Sequence, residues 1–305
     1  MKEEIIIQDT LKHLAESEHD GRPVSRETLA AELALPPDVV QRILHDLEAA
    51  ELLEADSLTM TPSGREYALH VLRAHRLYET YLAHRTGVRE SEWHTRAHVA
   101  EHKLSAADVE QLNRDLNYPR FDPHGDAIPT ASGLMAPKVG RPLTDHPVGW
   151  EGQVVHVEDE PPERYALIAA ASIAPGTVLR IEASNQDQVR VAAEGCVFGF
   201  PPATAEQITV IPLSDGEHFD RSLERLSSLV EGEAADVVRL SPLCRGLDRS
   251  RLLDLGLVPG TTLSVDLVSP SGSPVAYRVR GASIALRREQ AERVLIRKHR
   301  ENADG

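Results

Sequence analysis

Leu72-Arg-Ala-His75-Arg-Leu-Tyr-Glu79, followed by His94-Thr-Arg-Ala-His98-Val-Ala-Glu101-His102, is the stretch on which the fold and chemistry of this chain turn. At 3.6 residues per turn, His75 and Glu79 lie one turn apart on one helix face. His94, His98 and either Glu101 or His102 share a face of the next helix. Packed together, two such helices offer up to six ligands. Imidazole nitrogen with carboxylate oxygen, and no thiolate nearby, suits first-row divalent ions such as manganese(II), iron(II), cobalt(II) or zinc(II). The plainer alternative is a pair of His-rich surface helices. His70 and His84 fall outside the spacing and read as solvent or packing histidines. His98-Val-Ala-Glu101-His102 is also an H-x-x-E-H string, the signature of a zinc hydrolase in which the glutamate acts as general base. The string lies within about 130 mostly helical residues, small for such a protease. The additional His75, Glu79 and His94 suit a closed site better than an open catalytic one.

Upstream, Ser25-Arg-Glu-Thr28 precedes the short helical run Leu29–Leu33, with Ser25 as its cap. After a break at Leu35-Pro36-Pro37, Val39, Val40, Ile43, Leu44 and Leu47 mark an amphipathic helix with proline in its first turn. Two short strands, 52–54 and 58–60, follow. Helix, turn, helix and hairpin is the layout of a winged helix–turn–helix, whose second helix enters the DNA major groove. The DNA-facing candidates are Pro37, Asp38, Gln41, Arg42 and His45, with Arg26 nearby. Gln41 is suited to adenine, and Arg42 to guanine or a phosphate. The competing interpretation is a winged helix used only for protein contacts. Helices are expected over about 62–86, 90–102 and 105–116.

Downstream, prolines and glycines between Pro119 and Pro147 mark a linker. Beyond it the pattern changes to short β-like runs that repeat. Val154-Val-His-Val157 matches Val237-Val-Arg-Leu240, Pro175-Gly-Thr177 matches Pro259-Gly-Thr261, Gly195 matches Gly281, and Ile208–Ile211 matches Val294–Arg297. The offsets of 83, 84, 86 and 86 residues argue for two copies of one small β-barrel.

The chain has 305 residues and a formal net charge of −15. That acidity argues against indiscriminate nucleic-acid binding, because phosphate contacts need Lys and Arg. It is uneven: residues 1–70 hold 6 basic and 15 acidic groups, 71–140 hold 9 of each, and 141–215 hold 4 and 11. Residues 237–300 hold 12 basic and 5 acidic groups, so that stretch presents either a phosphate-contacting surface or a solvated basic face. Two cysteines, Cys196 and Cys244, form no CxxC pair and so imply neither a disulfide framework nor a cysteine zinc module. The acidic N-terminus lacks a signal-peptide pattern, and no apolar run approaches bilayer length, so the expectation is a cytoplasmic protein with no membrane partner.

On Leu72–Glu79, His94–His102, Phe121-Asp-Pro-His-Gly-Asp-Ala-Ile-Pro129 and Thr61-Pro-Ser-Gly-Arg65, the sequence resembles the diphtheria toxin repressor family, which includes manganese-transport regulators. The resemblance covers about residues 1–130. It implies a homodimeric, metal-activated repressor of metal-homeostasis genes, on palindromic operator DNA and without a small-molecule substrate. It also implies two metal sites per chain, His75, Glu79 and His94 in one and His98, Glu101 and His102 in the other. The ligand expected from the first helix falls near Ile6, which cannot coordinate, whereas Asp9 matches a carboxylate of the manganese-sensing branch. His98 stands where iron sensors carry cysteine and manganese sensors glutamate, so manganese(II) and iron(II) both stay open. The two β domains resemble FeoA-like, SH3-like barrels, the second more clearly, through 244–261 and 280–286. In relatives with one barrel, its first strand can complete a metal site. The corresponding positions are Gln153 and His156, which otherwise are a turn and a strand surface.

The expected fold is therefore a multidomain α + β chain. It comprises a winged helix–turn–helix (1–70), a helical metal-binding and dimerisation domain (71–130), a linker (131–147) and two barrels (148–213 and 222–298). The competing functions are a zinc metallohydrolase and a metal-dependent protein-interaction module without DNA binding.

Overall fold

The computed structural model describes residues 2–299. It forms two compact units, one comprising residues up to 138 and the other running from 139 onward, with the helix end 84–86 counted in the second.

The first unit is helical: α1 (Lys2–Asp20), α2 (Arg26–Glu32), α3 (Pro37–Ala49), α4 (Pro62–Arg85), α5 (Trp93–Glu101) and α6 (Ala106–Asp115). The Ser25 side chain accepts from the Thr28 amide while Thr28 returns a bond to the Ser25 amide, closing the α2 capping box. Val40, Ile43, Leu44 and Leu47 of α3 are all buried and pack with Leu11 and Leu14 of α1, Leu29 of α2 and Leu72 of α4. That i, i+3, i+4, i+7 stripe turns the opposite face of α3 to solvent.

The wing is shorter than the two strands expected. Its ladder is one antiparallel bridge, Leu53 with Met60, flanked by the Glu54 amide donating to Thr59 O at 2.9 Å. A two-stranded ribbon this short has too few pairs to sustain regular strands. Thr61 then caps α4 by accepting from the Gly64 amide at 3.1 Å, with Pro62 opening the helix. Gly64 is needed for close approach, because a Cβ there would lie 2.0 Å from the Leu52 carbonyl oxygen. Gly64→Ala is expected to cost about 2 kcal/mol. Denaturant unfolding would show this as a lower midpoint at unchanged slope, and an unchanged midpoint would mean the wing yields freely.

Helix α4 is buried along most of its length, including Arg73, His75, Arg76, Glu79 and Thr80. Buried polar groups need partners. Arg76 donates to the Ala127 carbonyl at 2.6 Å and faces Glu16, Asp122 and Asp126, while Arg73 donates to the Pro129 carbonyl and pairs with Glu110 at 2.9 Å. These bonds hold the 121–129 loop against α4. Within the loop, Asp122 Oδ1 accepts from the amides of His124, Gly125 and Asp126, each at 2.9 Å, a local turn that a short acidic side chain builds readily. The helix expected over 90–102 begins with a 3-10 turn, Glu90–Glu92, and stops at Glu101, leaving His102 as its cap.

The segment 131–147 is less of a linker than its composition suggests. Met135 packs on the winged-helix core and Lys138 pairs with Asp20 at 2.6 Å. From Arg141 the chain already belongs to a sheet. Proline and glycine mark where regular elements end, not where packing ends.

The second unit contains two six-stranded antiparallel sheets. The first holds β1 (Arg141–Pro142), β2 (Glu151–Val157), β3 (Val178–Ser184), β4 (Val189–Ala193), β5 (Cys196–Phe200) and β6 (Ile208–Pro212) in the order β1-β6-β2-β3-β4-β5. Two helices belong to this copy, α7 (Pro162–Ala170) between β2 and β3 and the short α8 (Pro202–Ala205) before β6. The second sheet holds β7 (Glu224–Arg225), β8 (Ala234–Leu240), β9 (Thr262–Val268), β10 (Val275–Val279), β11 (Ala282–Leu286) and β12 (Val294–Lys298) in the same order. Its helices, α9 (Gly246–Asp254) and α10 (Arg288–Ala291), occupy the same two positions. The repeat extends to irregularities. The β2–β6 register shifts between Val154 and His156, and the β8–β12 register shifts between Val237 and Arg239. Gly176 donates to Val154 O and Gly260 to Val237 O, both at 2.8 Å. Glu194-Gly195 and Arg280-Gly281 each turn through positive φ at both residues, with glycine easing the second.

Candidate metal centres and nucleic-acid face

Three groups of potential ligand atoms converge among the described residues: Asp9, His98, Glu101 and His102; His75, Glu79 and His94; and Glu79, Asp122 and His124. The first joins the two halves of the helical unit, since Asp9 is on α1 and the others are on α5 or its cap. Asp9 Oδ1 lies 3.6 Å from His98 Nδ1 and 3.6 Å from His102 Nε2, and Glu101 Oε1 lies 3.4 and 3.6 Å from the same two nitrogens.

The hydrogen-bond chemistry of this group calls for a cation. His102 Nδ1 lies 2.5 Å from the Gln8 side-chain oxygen, an acceptor only, so Nδ1 carries the proton and Nε2 presents a lone pair. Burial lowers the His102 pKa, the charges of Glu101 and Asp9 raise it less, and the ring is held neutral. Asp9 Oδ1 and His102 Nε2 are both buried without a hydrogen-bond partner. Lone pairs aimed at one another in a buried place cost free energy unless something positive lies between them. The donor set fits a divalent ion.

His75 connects this group to the second. Its Nδ1 is hydrogen-bonded to Glu101 Oε2, which can only accept, so the proton sits on Nδ1. Its Nε2 lies 3.3 Å from Glu79 Oε1, which is also 3.6 Å from His94 Nδ1. A carboxylate behind a ligating imidazole fixes tautomer and ring orientation, so Glu101 faces one group directly and orients His75 for the other. Glu79 Oε2 faces His124 Nδ1 at 3.7 Å, placing one carboxylate between two groups. Burial pushes the His75 pKa down and the nearby Lys12 charge adds to this. The Glu79 charge and the hydrogen bonds to Glu101 and Glu79 outweigh both, and the pKa ends raised. For Glu101, burial works to raise the pKa, but hydrogen bonds from His75 and His98 and the charges of His75 and Lys12 hold it well below the usual carboxylate range. Glu79 is likewise lowered, by His75 foremost, against its own burial. Asp122 goes the other way: burial and the Asp126 charge push it up to about 7.

Helical spacing put His75 with Glu79 on one face and His94, His98 and either Glu101 or His102 on the next. The resemblance supplied the division into His75, Glu79 and His94 against His98, Glu101 and His102, with Asp9 added; the structure groups these residues in the same way. The sequence spacing missed Asp122 and His124, although both stand in the quoted Phe121–Pro129 stretch. Their sequence signal was a loop motif, and the loop's fold-back onto α4 supplies the juxtaposition. It also missed Gln8, which orients His102, and Lys12. Gln153 donates to the Gly176 carbonyl at 3.4 Å and His156 is half-buried on the same strand, β2; neither joins a converging group among the described residues.

The H-x-x-E-H string does not form a hydrolase centre. The Glu101 side chain is fully buried and engaged by His75 and Lys12, so it is not poised to activate a water molecule.

On the face of α3 turned away from its buried stripe, Pro37, Asp38, Gln41, Arg42 and His45 are all exposed, as is Arg26 at the start of α2. Arg42 lies 3.8 Å from Asp38 in a loose, solvent-exposed pair that leaves the guanidinium available.

Residues 61–130 match the family described as iron dependent repressor, metal binding and dimerisation domain, and residues 224–298 match the FeoA domain. A solved manganese-dependent transcriptional repressor in complex with manganese is 30% identical, with a TM-score of 0.63, and the alignment covers 68% of this chain and 99% of that one. The chain belongs to the diphtheria toxin repressor family of metal-dependent transcriptional repressors. The iron-dependent repressor of Mycobacterium leprae is 27% identical over 202 residues, covering 61% of this chain and 87% of that protein. A ferrous iron transport fusion protein of Porphyromonas gingivalis is 39% identical over 72 residues. That match covers 24% of this chain and 8% of the fusion protein, so it speaks for a shared domain and not for transport. Members of this repressor family are not enzymes, which removes the hydrolase alternative. No helix among the described residues is long and apolar enough to cross a membrane.

Proposed function

We propose that this repressor acts as a homodimer on palindromic operator DNA of metal-homeostasis genes and is activated by manganese(II) or iron(II). The observation that carries this is the pair of buried, unsatisfied lone pairs on Asp9 Oδ1 and His102 Nε2, one on a winged-helix element and the other capping α5. Asp9, His98, Glu101 and His102 would hold one ion and His75, Glu79 and His94 another, with Asp122 and His124 beside the second through Glu79. A bound divalent ion supplies the positive charge these lone pairs lack. The sulfur-free donor set favours manganese(II), with iron(II) next.

Asp9 then ties α1 to α5. A ligand shifts a conformational equilibrium only by binding one state more tightly, and a site spanning both helices exists only when they are correctly docked. That docking would set the two α3 helices of a dimer at half-site spacing. Gel shift with manganese and then with excess chelator tests the switch; DNA affinity indifferent to both would contradict it. The surviving alternative is a metal-dependent protein-interaction module, motivated by the net acidity of residues 1–70. Operator binding at physiological salt would dispose of it.

The exposed face of α3 carries its own expectation. Arg42→Ala should weaken operator binding by ~1–3 kcal/mol. If Arg42 reads a base, discrimination at one position relaxes in a binding-site selection. If it contacts phosphate, all sequences weaken alike and the salt slope falls by about one. Unchanged affinity would remove α3 from the interface.

A further inference from the structure

The side chain of Lys12 enters the Asp9 group from α1, one turn beyond Asp9 on the same helix. Its Nζ lies 2.8 Å from Glu101 Oε1, and its side chain is 12% exposed against 0% for Glu101. The oxygen it holds is the one that faces His98 Nδ1 at 3.4 Å and His102 Nε2 at 3.6 Å. An ion held by those two nitrogens and by Asp9 would need Glu101 Oε1, and an ammonium is already on it. Resting on the metal-sensing function above, we propose that Lys12 is a tethered cation that a divalent ion must displace from Glu101, so that Lys12 sets the metal threshold of this group.

Three physical consequences follow from one position. A charge-assisted hydrogen bond must break before Glu101 Oε1 can serve as a ligand. A displaced ammonium stays on α1 close to a divalent ion, and like charges repel. In the metal-free chain, the Lys12–Glu101 pair already bridges α1 to α5, so the helices meet without an ion but through a weaker link. The flexible lysine stem allows the head group to swing toward solvent while its methylenes stay packed. The chain therefore carries its own competitor, and the metal concentration needed to fill the group rises accordingly.

The test is calorimetric titration of the full chain with manganese(II), comparing wild type with Lys12→Leu and Lys12→Arg. Leucine fills similar space with no charge and no ligand atom, and arginine keeps the charge. Lys12→Leu should bind manganese about tenfold more tightly or better, the weight of one lost charge-assisted bond. Lys12→Arg should stay near wild type. Thermal unfolding gives a second measure: Lys12→Leu should melt lower without metal and gain more from manganese than wild type does. Equal or weaker manganese binding by Lys12→Leu, with its helical content intact, would overturn the proposal. If the leucine variant does not fold without metal, tightened binding by Lys12→Arg relative to wild type would equally overturn it. Absence of manganese uptake by the wild-type chain itself would overturn the metal-sensing function first, and this proposal with it.

Discussion

In Glu101→Gln, manganese affinity at the Asp9 group falls about 100-fold or more, and metal-dependent operator binding disappears. The substitution keeps shape and volume but removes the one charge that the Lys12 ammonium and the His75 ring N–H share, and that a metal held by His98 and His102 would need. His75 and Lys12 are hydrogen-bonded to Glu101, and His98 and His102 face it within 3.6 Å. An amide can accept one of these bonds through its oxygen, but its NH2 end then points a donor at another donor. Lys12 is left as a buried cation without its counter-ion, a class of defect that costs about 3–5 kcal/mol. Two readouts separate ligation from stability. Manganese titration reports the binding loss, and the melting temperature of the metal-free variant reports the structural part. Retention of wild-type manganese affinity in a folded Glu101→Gln chain would show that Glu101 is not a ligand.

Manganese affinity should climb steeply with pH and then level off. His75 Nε2 faces Glu79 Oε1 at 3.3 Å, and its pKa is raised above the ordinary 6.5, so below that raised value the ring carries a second proton on the nitrogen a metal would use. Releasing one proton per ion makes affinity rise about tenfold per pH unit until His75 is neutral, beyond which the dependence flattens. Calorimetry in buffers of different ionisation enthalpy counts the protons released. A count of zero at pH 6 would sink the assignment of His75 Nε2 as a ligand.

The stability of the metal-free chain moves in the opposite sense. His75 binds its proton more tightly in the folded chain, so its contribution is fully present below 6.5 and lost as pH rises through the folded pKa. Glu79 and Glu101 are held below their ordinary 4.5, so theirs is present above that value and lost as pH falls through the depressed ones. Metal-free melting temperature should therefore peak between the two ranges, while manganese protection grows toward higher pH.

Much of this architecture could be seen in the residues. The α3 stripe, the Ser25 cap and the 83-to-86-residue repeat depend on local periodicity and turn chemistry, which neighbours in sequence control. The repeat was informative even at its irregularities, because bulges and positive-φ turns recur where the same residue types recur. The spacing of His75 and Glu79 carried through for the same reason, since helix geometry places i and i+4 together. The wing strands, the start of α5 and the 131–147 segment were read less well. Each depends on how much pairing or packing a short, proline- or glycine-rich stretch finds elsewhere in the chain, and composition does not encode that.

The chain by itself therefore determined the kinds of ligand and the faces that carry them: imidazoles and carboxylates at helical spacing, and a polar α3 face opposite an apolar one. What only the tertiary structure decided is which of those groups meet. Glu101 sits where α1, α4 and α5 converge, so Lys12, 89 positions away in sequence, and His75, 26 positions away, each take one of its two oxygens. Asp122 and His124 come to Glu79 because Arg73 and Arg76 hold their loop to α4. Long-range contacts of this kind arise from packing one buried helix on all sides. A buried charge there must find its partner wherever the fold places one, because leaving it unpaired costs more than any local preference supplies.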